Sequence, residues 1–234
     1  MRFTDNLQPR YSDYDRYNRL YPESILMLFE TAAAHHMNSV GDSSVKGDVS
    51  WLITDWHVEV TRYPEREEEL RAVTWVRQSD KPHTMDRQFI MASGEEQIAR
   101  ASLTFAQYDM KNKRLVRIDK SLYDSYAPEQ EGVFDVKPPR LRKPDTFLCE
   151  KPLTIRRADL DFNGHVHNTV YLGYALEALP DEAYGNGEFS SIRVIYHAPL
   201  APDTEAVIRV SKIDGGYLCS IISSETLHTL IELK

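Results

Sequence analysis

The sequence repeats itself, and the repeat limits the available folds more than any single motif. Sliding the 234-residue chain by 146 positions sets Arg10 over Arg156, Asp13 over Asp159, Asp15 over Asp161 and Leu20 over Val166 in one frame. In the first copy Pro22 opens a helix, Ile25, Leu28, Phe29, Ala32 and His36 fall at helical spacing, and Gly41 is the predicted stop. The pattern then switches to period two: Leu52, Thr54, Trp56, Val58 and Val60 alternate with Asp55, His57, Glu59 and Thr61, as in a half-buried strand. Further strand patterns cover 70–77, 84–92 and 98–108, with Ser93-Gly94-Glu95 turning a hairpin. The second copy predicts a helix from Asn168, strands over 189–197, 204–213, 217–224 and 227–233, and a turn at Asp214-Gly215-Gly216. A long helix followed by four antiparallel strands, twice over, is a duplicated α+β architecture in which each sheet wraps a helix.

We divide the chain into a first unit over 1–125, a linker over 126–150 and a second unit over 151–234. Pro128, Pro138, Pro139 and Pro144 interrupt the linker, and Lys137, Arg140, Arg142 and Lys143 make it locally basic, as expected of a segment laid across a surface. Elsewhere acid dominates. The net charge of -8 argues against general nucleic-acid binding. Cys149 and Cys219 have no CxxC spacing, so neither a disulfide framework nor a zinc site is implied, which fits a reducing cytoplasm. No apolar run approaches the roughly 18 residues that a membrane span requires, and MRFTDNLQPR lacks a signal core.

The chemistry-bearing residues gather in one stretch, RRADLDFNGHVHNTVYLGYALEALP over 156–180. Asp159, Asp161, Asn163, His165, His167 and Asn168 lie within ten residues and run into an apolar helix. Unpaired N–H groups and the partial positive charge of a helix N-terminus can hold a carbonyl oxygen that is becoming an oxyanion. A carboxylate and an imidazole just before that terminus can orient and deprotonate water. The pattern therefore suits hydrolysis of an activated acyl group.

Other readings of the stretch are weaker. Asp159, Asp161, Asn163 and Gly164 mimic the start of a calcium loop, but Val170 stands where a bidentate Glu is needed. His165 and His167 could chelate on an extended segment, yet no third ligand is visible, so no metal is expected. Asn168 is expected to cap the helix, and Asp159 either holds the loop or pairs with Arg156 or Arg157. His35, His36, His57, His83 and His228 read as structural or surface residues. Only the second copy carries the constellation, since Tyr17 and Arg19 lie where it has Asn163 and His165.

Together the repeat and the motif resemble the acyl-acyl carrier protein thioesterases of plants and bacteria, which carry two hotdog folds in tandem. The resemblance rests on DYDRYNRLYPESILMLFETAA, WLITDWHVEVTRYP, EELRAVTWVRQ, QIARASLTF with the following KRLVRI, and DLDFNGHVHNTVY, in that order. It implies release of free fatty acid from acyl carrier protein, without a cofactor. The DxNxH motif carries onto Asp161 as orienting carboxylate or base, Asn163 as positioning donor and His165 as base. Plant members also carry a Glu-Cys pair where this chain has Pro199 and Leu200, which disfavours a cysteine mechanism; His197 is a nearby substitute. The acyl pocket is expected around Ile25, Leu28, Phe29, Trp56 and Val58. The acidic carrier is expected to dock on Lys137, Arg140, Arg142, Lys143, Arg156 and Arg157. An acyl-CoA thioesterase, a non-catalytic acyl-binding module and a hotdog dehydratase are the competing functions. A fused pair already supplies the two units that single hotdogs gain by dimerising, and a homodimer of pairs stays open.

Overall fold

A computed structural model describes residues 1–43, 48–185 and 187–234. The first copy contains β1 (Phe3–Leu7), α1 (Pro22–Ser39), β2 (Val49–Val60), β3 (Leu70–Arg77), β4 (Thr84–Ser93), β5 (Glu96–Asp109), the short β6 (Arg114–Leu115) and α2 (Lys120–Ser125). The second contains β7 (Cys149–Leu153), α3 (Val170–Ala178), α4 (Asp181–Tyr184), β8 (Ser191–Tyr196), β9 (Ala206–Ile213), β10 (Gly216–Ser223) and β11 (Thr226–Leu233). The strand order β1-β3-β4-β5-β2-β8-β11-β10-β9-β7 reads as one five-strand pattern followed by its reverse. The offset of 146 places β1 on β7, and the 3-10 turn Tyr11–Asp13 on its counterpart Arg157–Asp159, residue for residue.

The two expected sheets are one. Antiparallel pairing of β2 with β8, from Asp55 opposite Ile195 to Glu59 opposite Ser191, joins the copies edge to edge. This covers two sheet edges that would otherwise present unpaired N–H and C=O groups. The helices lie on one side, α1 against β1 and β3, α3 against β7, β9 and β11, and the two helices against each other. Pro22 starts α1 where a missing N–H costs nothing, and Gly41, at φ +68, follows its end in a conformation that suits glycine. Phe29 of α1 packs on Trp56 and Phe89 with ring centroids 6.3 and 4.9 Å away, and all three side chains are fully buried. The resulting core runs through both copies.

Toward the C-terminal end of α1 the core is polar. Arg87 is buried with its Nη1 2.9 Å from His36 Nδ1, and its guanidinium lies over Tyr126, whose hydroxyl donates to Asp42 at 2.5 Å. Three of the other scattered histidines also serve packing or pairing: His35 meets Asp5 at 2.7 Å, His57 stacks on Phe134, and His228 lies 2.6 Å from Ser223 Oγ. Between Tyr126 and Leu148 the chain forms no helix or named strand, and Lys137, Arg140, Arg142 and Lys143 are exposed along it.

Candidate active site

The motif loop is built the same way in both copies, which separates what the loop needs for folding from what is peculiar to one copy. In the first, Asp15 Oδ1 accepts from the backbone N–H groups of Tyr17 (2.7 Å) and Arg19 (2.9 Å). In the second, Asp161 Oδ1 accepts from those of Asn163 (2.8 Å) and His165 (3.1 Å). The Asp15 N–H donates to Arg19 O and the Asp161 N–H to His165 O, each at 2.7 Å. Asn18 (φ +66) and Gly164 (φ +75) occupy the same left-handed turn position, reached by the two residue types that tolerate it best. One carboxylate oxygen of each Asp is therefore spent on the loop itself.

The second oxygen differs. In the first copy Arg19 reaches back to Asp15 Oδ2 at 2.8 Å, a charge-assisted bond that neutralises it. At the matching position the second copy has His165, and among the described residues Asp161 Oδ2 has one hydrogen-bonding partner, the Asn163 side-chain amide at 3.3 Å. Asp161 and His165 are half-buried and Asn163 is exposed. The three motif residues thus share one tight turn, with the carboxylate at its centre.

Asp159 has a different job. Its carboxylate accepts from the Arg156 backbone and guanidinium and, at 2.5 Å, from the buried Tyr174 hydroxyl; these partners hold its pKa below the ordinary carboxylate value despite burial. It is a structural anchor between the loop and α3. Asn168 does not cap α3. Thr169 occupies the N-cap without a side-chain cap bond, and the Asn168 carbonyl instead accepts from Tyr196 Oη at 2.8 Å.

His167 is the residue of the motif that sequence reasoning left without a role. Its Nδ1 lies 3.1 Å from Thr169 Oγ1 and its Nε2 3.7 Å from Glu30 Oε2, on α1 of the first copy. Burial lowers the pKa of His167, offset in part by Asp161, and pushes Glu30 up to about 8. Glu30 carried no signal in the sequence, since helical spacing alone does not say which neighbour a position faces.

Of the expected pocket residues, Ile25, Phe29, Trp56 and Val58 have no exposed surface and Leu28 very little. Trp56 also turns its indole N–H toward Glu30. Of the expected docking residues, Lys137 lies 3.6 Å from Asp86, Arg156 is tied to Asp159, and Arg140 lowers the pKa of exposed His197, an effect second to burial. Leu200 is buried, its carbonyl accepting from Val166 N–H and its N–H donating to Tyr171 Oη, and Pro199 is exposed. Neither places a polar side chain beside the motif.

The acyl-ACP thioesterase N-terminal domain matches residues 1–126, and the acyl-ACP thioesterase C-terminal domain matches residues 142–229. The chain belongs to the acyl-ACP thioesterase family. Within the family it is 29% identical over 206 residues to the chloroplastic oleoyl-acyl carrier protein thioesterase 2 of Arabidopsis thaliana, covering 77% of this chain and 55% of that one. It is 27% identical over 214 residues to a chloroplastic palmitoyl-acyl carrier protein thioesterase of Cuphea hookeriana, with 83% and 51% covered. The chain thus spans about half the length of these curated relatives. Its fold is that of a 12:0-ACP thioesterase from Umbellularia californica, with a TM-score of 0.86 at 19% identity over 100% of this chain and 96% of that one. This is the tandem double hotdog.

Proposed function

We propose that the chain hydrolyses the thioester of a fatty acyl group on acyl carrier protein and releases the free fatty acid. The observation that carries this reading is the asymmetry of the duplicated loop. Arg19 occupies the second oxygen of Asp15, whereas with His165 in the same place Asp161 Oδ2 has, among the described residues, an amide partner alone. A loop kept twice for folding but unlocked once is what a single active site in a fused pair requires.

In this reading Asp161 Oδ2 orients water, Asn163 positions substrate or carboxylate, and His165 takes the water proton. The new C–O bond forms as that proton leaves, and the oxyanion faces the N-terminal end of α3, where Thr169 makes no side-chain cap bond. Collapse of the oxyanion breaks the C–S bond, and the proton held by His165 passes to the departing thiolate. The acyl chain would enter among Ile25, Leu28, Phe29, Trp56 and Val58, which are packed against the core here and would have to part to admit it. The carrier would dock on Lys137, Arg140, Arg142, Lys143, Arg156 and Arg157. Free thiols at Cys149 and Cys219 suit a reducing cytoplasm, although the curated relatives named above are chloroplastic.

The test is hydrolysis on matched panels of acyl-carrier-protein and acyl-CoA thioesters. General acid–base groups are worth about 10² to 10⁴ in rate. Asp161→Ala and His165→Ala should therefore each lower kcat at least about 10²-fold, with circular dichroism unchanged. Equal or better turnover of acyl-CoA would reassign the substrate, and acyl binding without turnover would make the chain a binding module.

A further inference from the structure

We propose that Glu30, on the helix of the first copy, is a positioning residue for the site of the second copy and acts through His167. The inference rests on the hydrolase reading above and adds two residues to it.

The geometry is a carboxyl and an imidazole meeting across the seam between copies. Glu30 Oε2 lies 3.7 Å from His167 Nε2. That distance exceeds a closed hydrogen bond, but catalytic contacts commonly tighten when substrate binds. Glu30 Oε1 is buried and has no hydrogen-bond partner among the described residues; the Trp56 indole N–H of β2 faces the carboxyl without closing a bond of normal geometry. The other ring nitrogen of His167 is held by Thr169, so Nε2 is the one left to Glu30. The Glu30 side chain is 19% exposed and that of His167 is 44% exposed, so the pair runs from the core to the surface. Among the described residues the remaining titratable neighbours are Asp161 of the motif, beside His167, and Tyr196 of β8, beside Glu30.

A carboxyl placed this way is a cost to the fold, because a buried polar atom without a partner forfeits its hydration. An apolar side chain on α1 would avoid that cost. Carboxyls whose burial brings their pKa near the working pH gather at functional sites, and burial pushes Glu30 up to about 8.

The pair also gives Glu30 control of the His167 tautomer. While Glu30 keeps its proton, its O–H is directed at Nε2, and the imidazole proton sits on Nδ1, donated to Thr169 Oγ1. When Glu30 ionises, Nε2 must carry the imidazole proton and donate it to the carboxylate, while Nδ1 accepts from the Thr169 hydroxyl. One proton leaves the pair, and in either state the two side chains close from 3.7 Å to hydrogen-bonding distance. His167 thereby presents one defined, neutral face beside Asp161 at neutral pH.

The experiment compares Glu30→Leu, Glu30→Gln, His167→Ala and the double variant Glu30→Leu/His167→Ala with wild type. Expected are a Glu30→Leu protein at least as stable as wild type, with kcat lowered about tenfold or more and KM within about threefold. The near-isosteric Glu30→Gln should lose the change in kcat that wild type shows around pH 8. The double variant should be no slower than His167→Ala alone, because a residue acting through another adds nothing once the other is gone. Full kcat in Glu30→Leu, an unchanged pH profile in Glu30→Gln, or additive losses in the double variant would each overturn the proposal. An active wild type that depends on Asp161 but is indifferent to Glu30 sinks this inference alone. A wild type inert on every thioester sinks the hydrolase reading and this inference with it.

Discussion

Asp15 and Asp161 are the same residue in the same turn, and the difference between them lies in what occupies the position four residues later. Each accepts two backbone N–H bonds that close its loop. Hydrogen bonds to a charged acceptor contribute roughly 1.5 to 3 kcal/mol each when one partner is lost. Asp15→Ala should therefore lower stability by about 2 kcal/mol or more while leaving kcat within about twofold of wild type. Asp161→Ala should lose similar stability together with the activity. Denaturant unfolding paired with steady-state kinetics on the two variants checks this, and a large kcat loss in Asp15→Ala would remove the asymmetry on which the assignment stands. At this scale the sequence was informative: the 146-residue offset exposed both aspartates and the exchange of Arg19 for His165. It could not reveal that Asp161 Oδ1 is spent on backbone, because Asx turns depend on where the chain goes next rather than on residue type.

Among the elements, α1 carries buried titratable groups that bend stability in opposite directions: burial raises the pKa of Glu23 and Glu30 and lowers that of His36. His36, fully buried beside Arg87, is held neutral, with its pKa lowered to about 4 chiefly by burial and then by Arg87. Its folded value lies below its unfolded value, so its contribution is lost as pH falls from about 6.5 toward 4. Glu30, pushed up to about 8, has a folded value above its unfolded one, so its contribution is present at low pH and lost as pH rises from about 4.5 to 8. The imidazole and carboxyl slopes oppose each other up to about pH 6.5, and above that the raised carboxyls, Glu30 with Glu23, act without that opposition. Urea unfolding of wild type should show stability falling between about pH 6.5 and 8 at up to about 1.4 kcal/mol per pH unit. Glu30→Leu should lose most of that slope, and any part left to the raised Glu23 should go in Glu23→Gln. A slope that survives both substitutions would place the proton uptake elsewhere.

Helical spacing made α1 legible in the sequence, and alternation did the same for β3, β4 and β9 to β11. Among the missed strands are β6, of two residues, and β1, five residues at one end of the sheet, where FTDNL alternates half-buried and exposed positions before the buried Leu7. Edge strands are kept short and polar to discourage further pairing, which erases the pattern that would announce them. The shift of the second helix start from Asn168 to Val170 has a related cause, since the Asn168 carbonyl is engaged by Tyr196 from across the structure.

For the whole molecule, the β2–β8 join decides how the linker reaches the site, and nothing in the sequence indicated that join. Because the sheet is continuous, the return from the first copy to the second carries residues 126–148 across it, and Arg140 comes near His197. Two residues beyond His197 lies Pro199, and the next carbonyl, that of Leu200, pairs with Val166 inside the motif. The basic run 137–143 of this segment thus has Arg140 acting on His197, on a chain whose net charge is -8. An acidic carrier would be repelled by most of such a surface and drawn to this part, an arrangement that acts on encounter more than on chemistry. Reversing both charges, Arg140→Glu with Arg142→Glu, should raise KM for carrier-bound substrate about tenfold, leave kcat unchanged, and leave short thioester analogues untouched. Added salt should raise the wild-type KM for the carrier-bound substrate and affect the reversed variant much less, because screening weakens only an attraction that exists. Equal loss on both substrates would mean that the reversal damaged the site itself, and an unchanged KM would move the docking surface away from the linker.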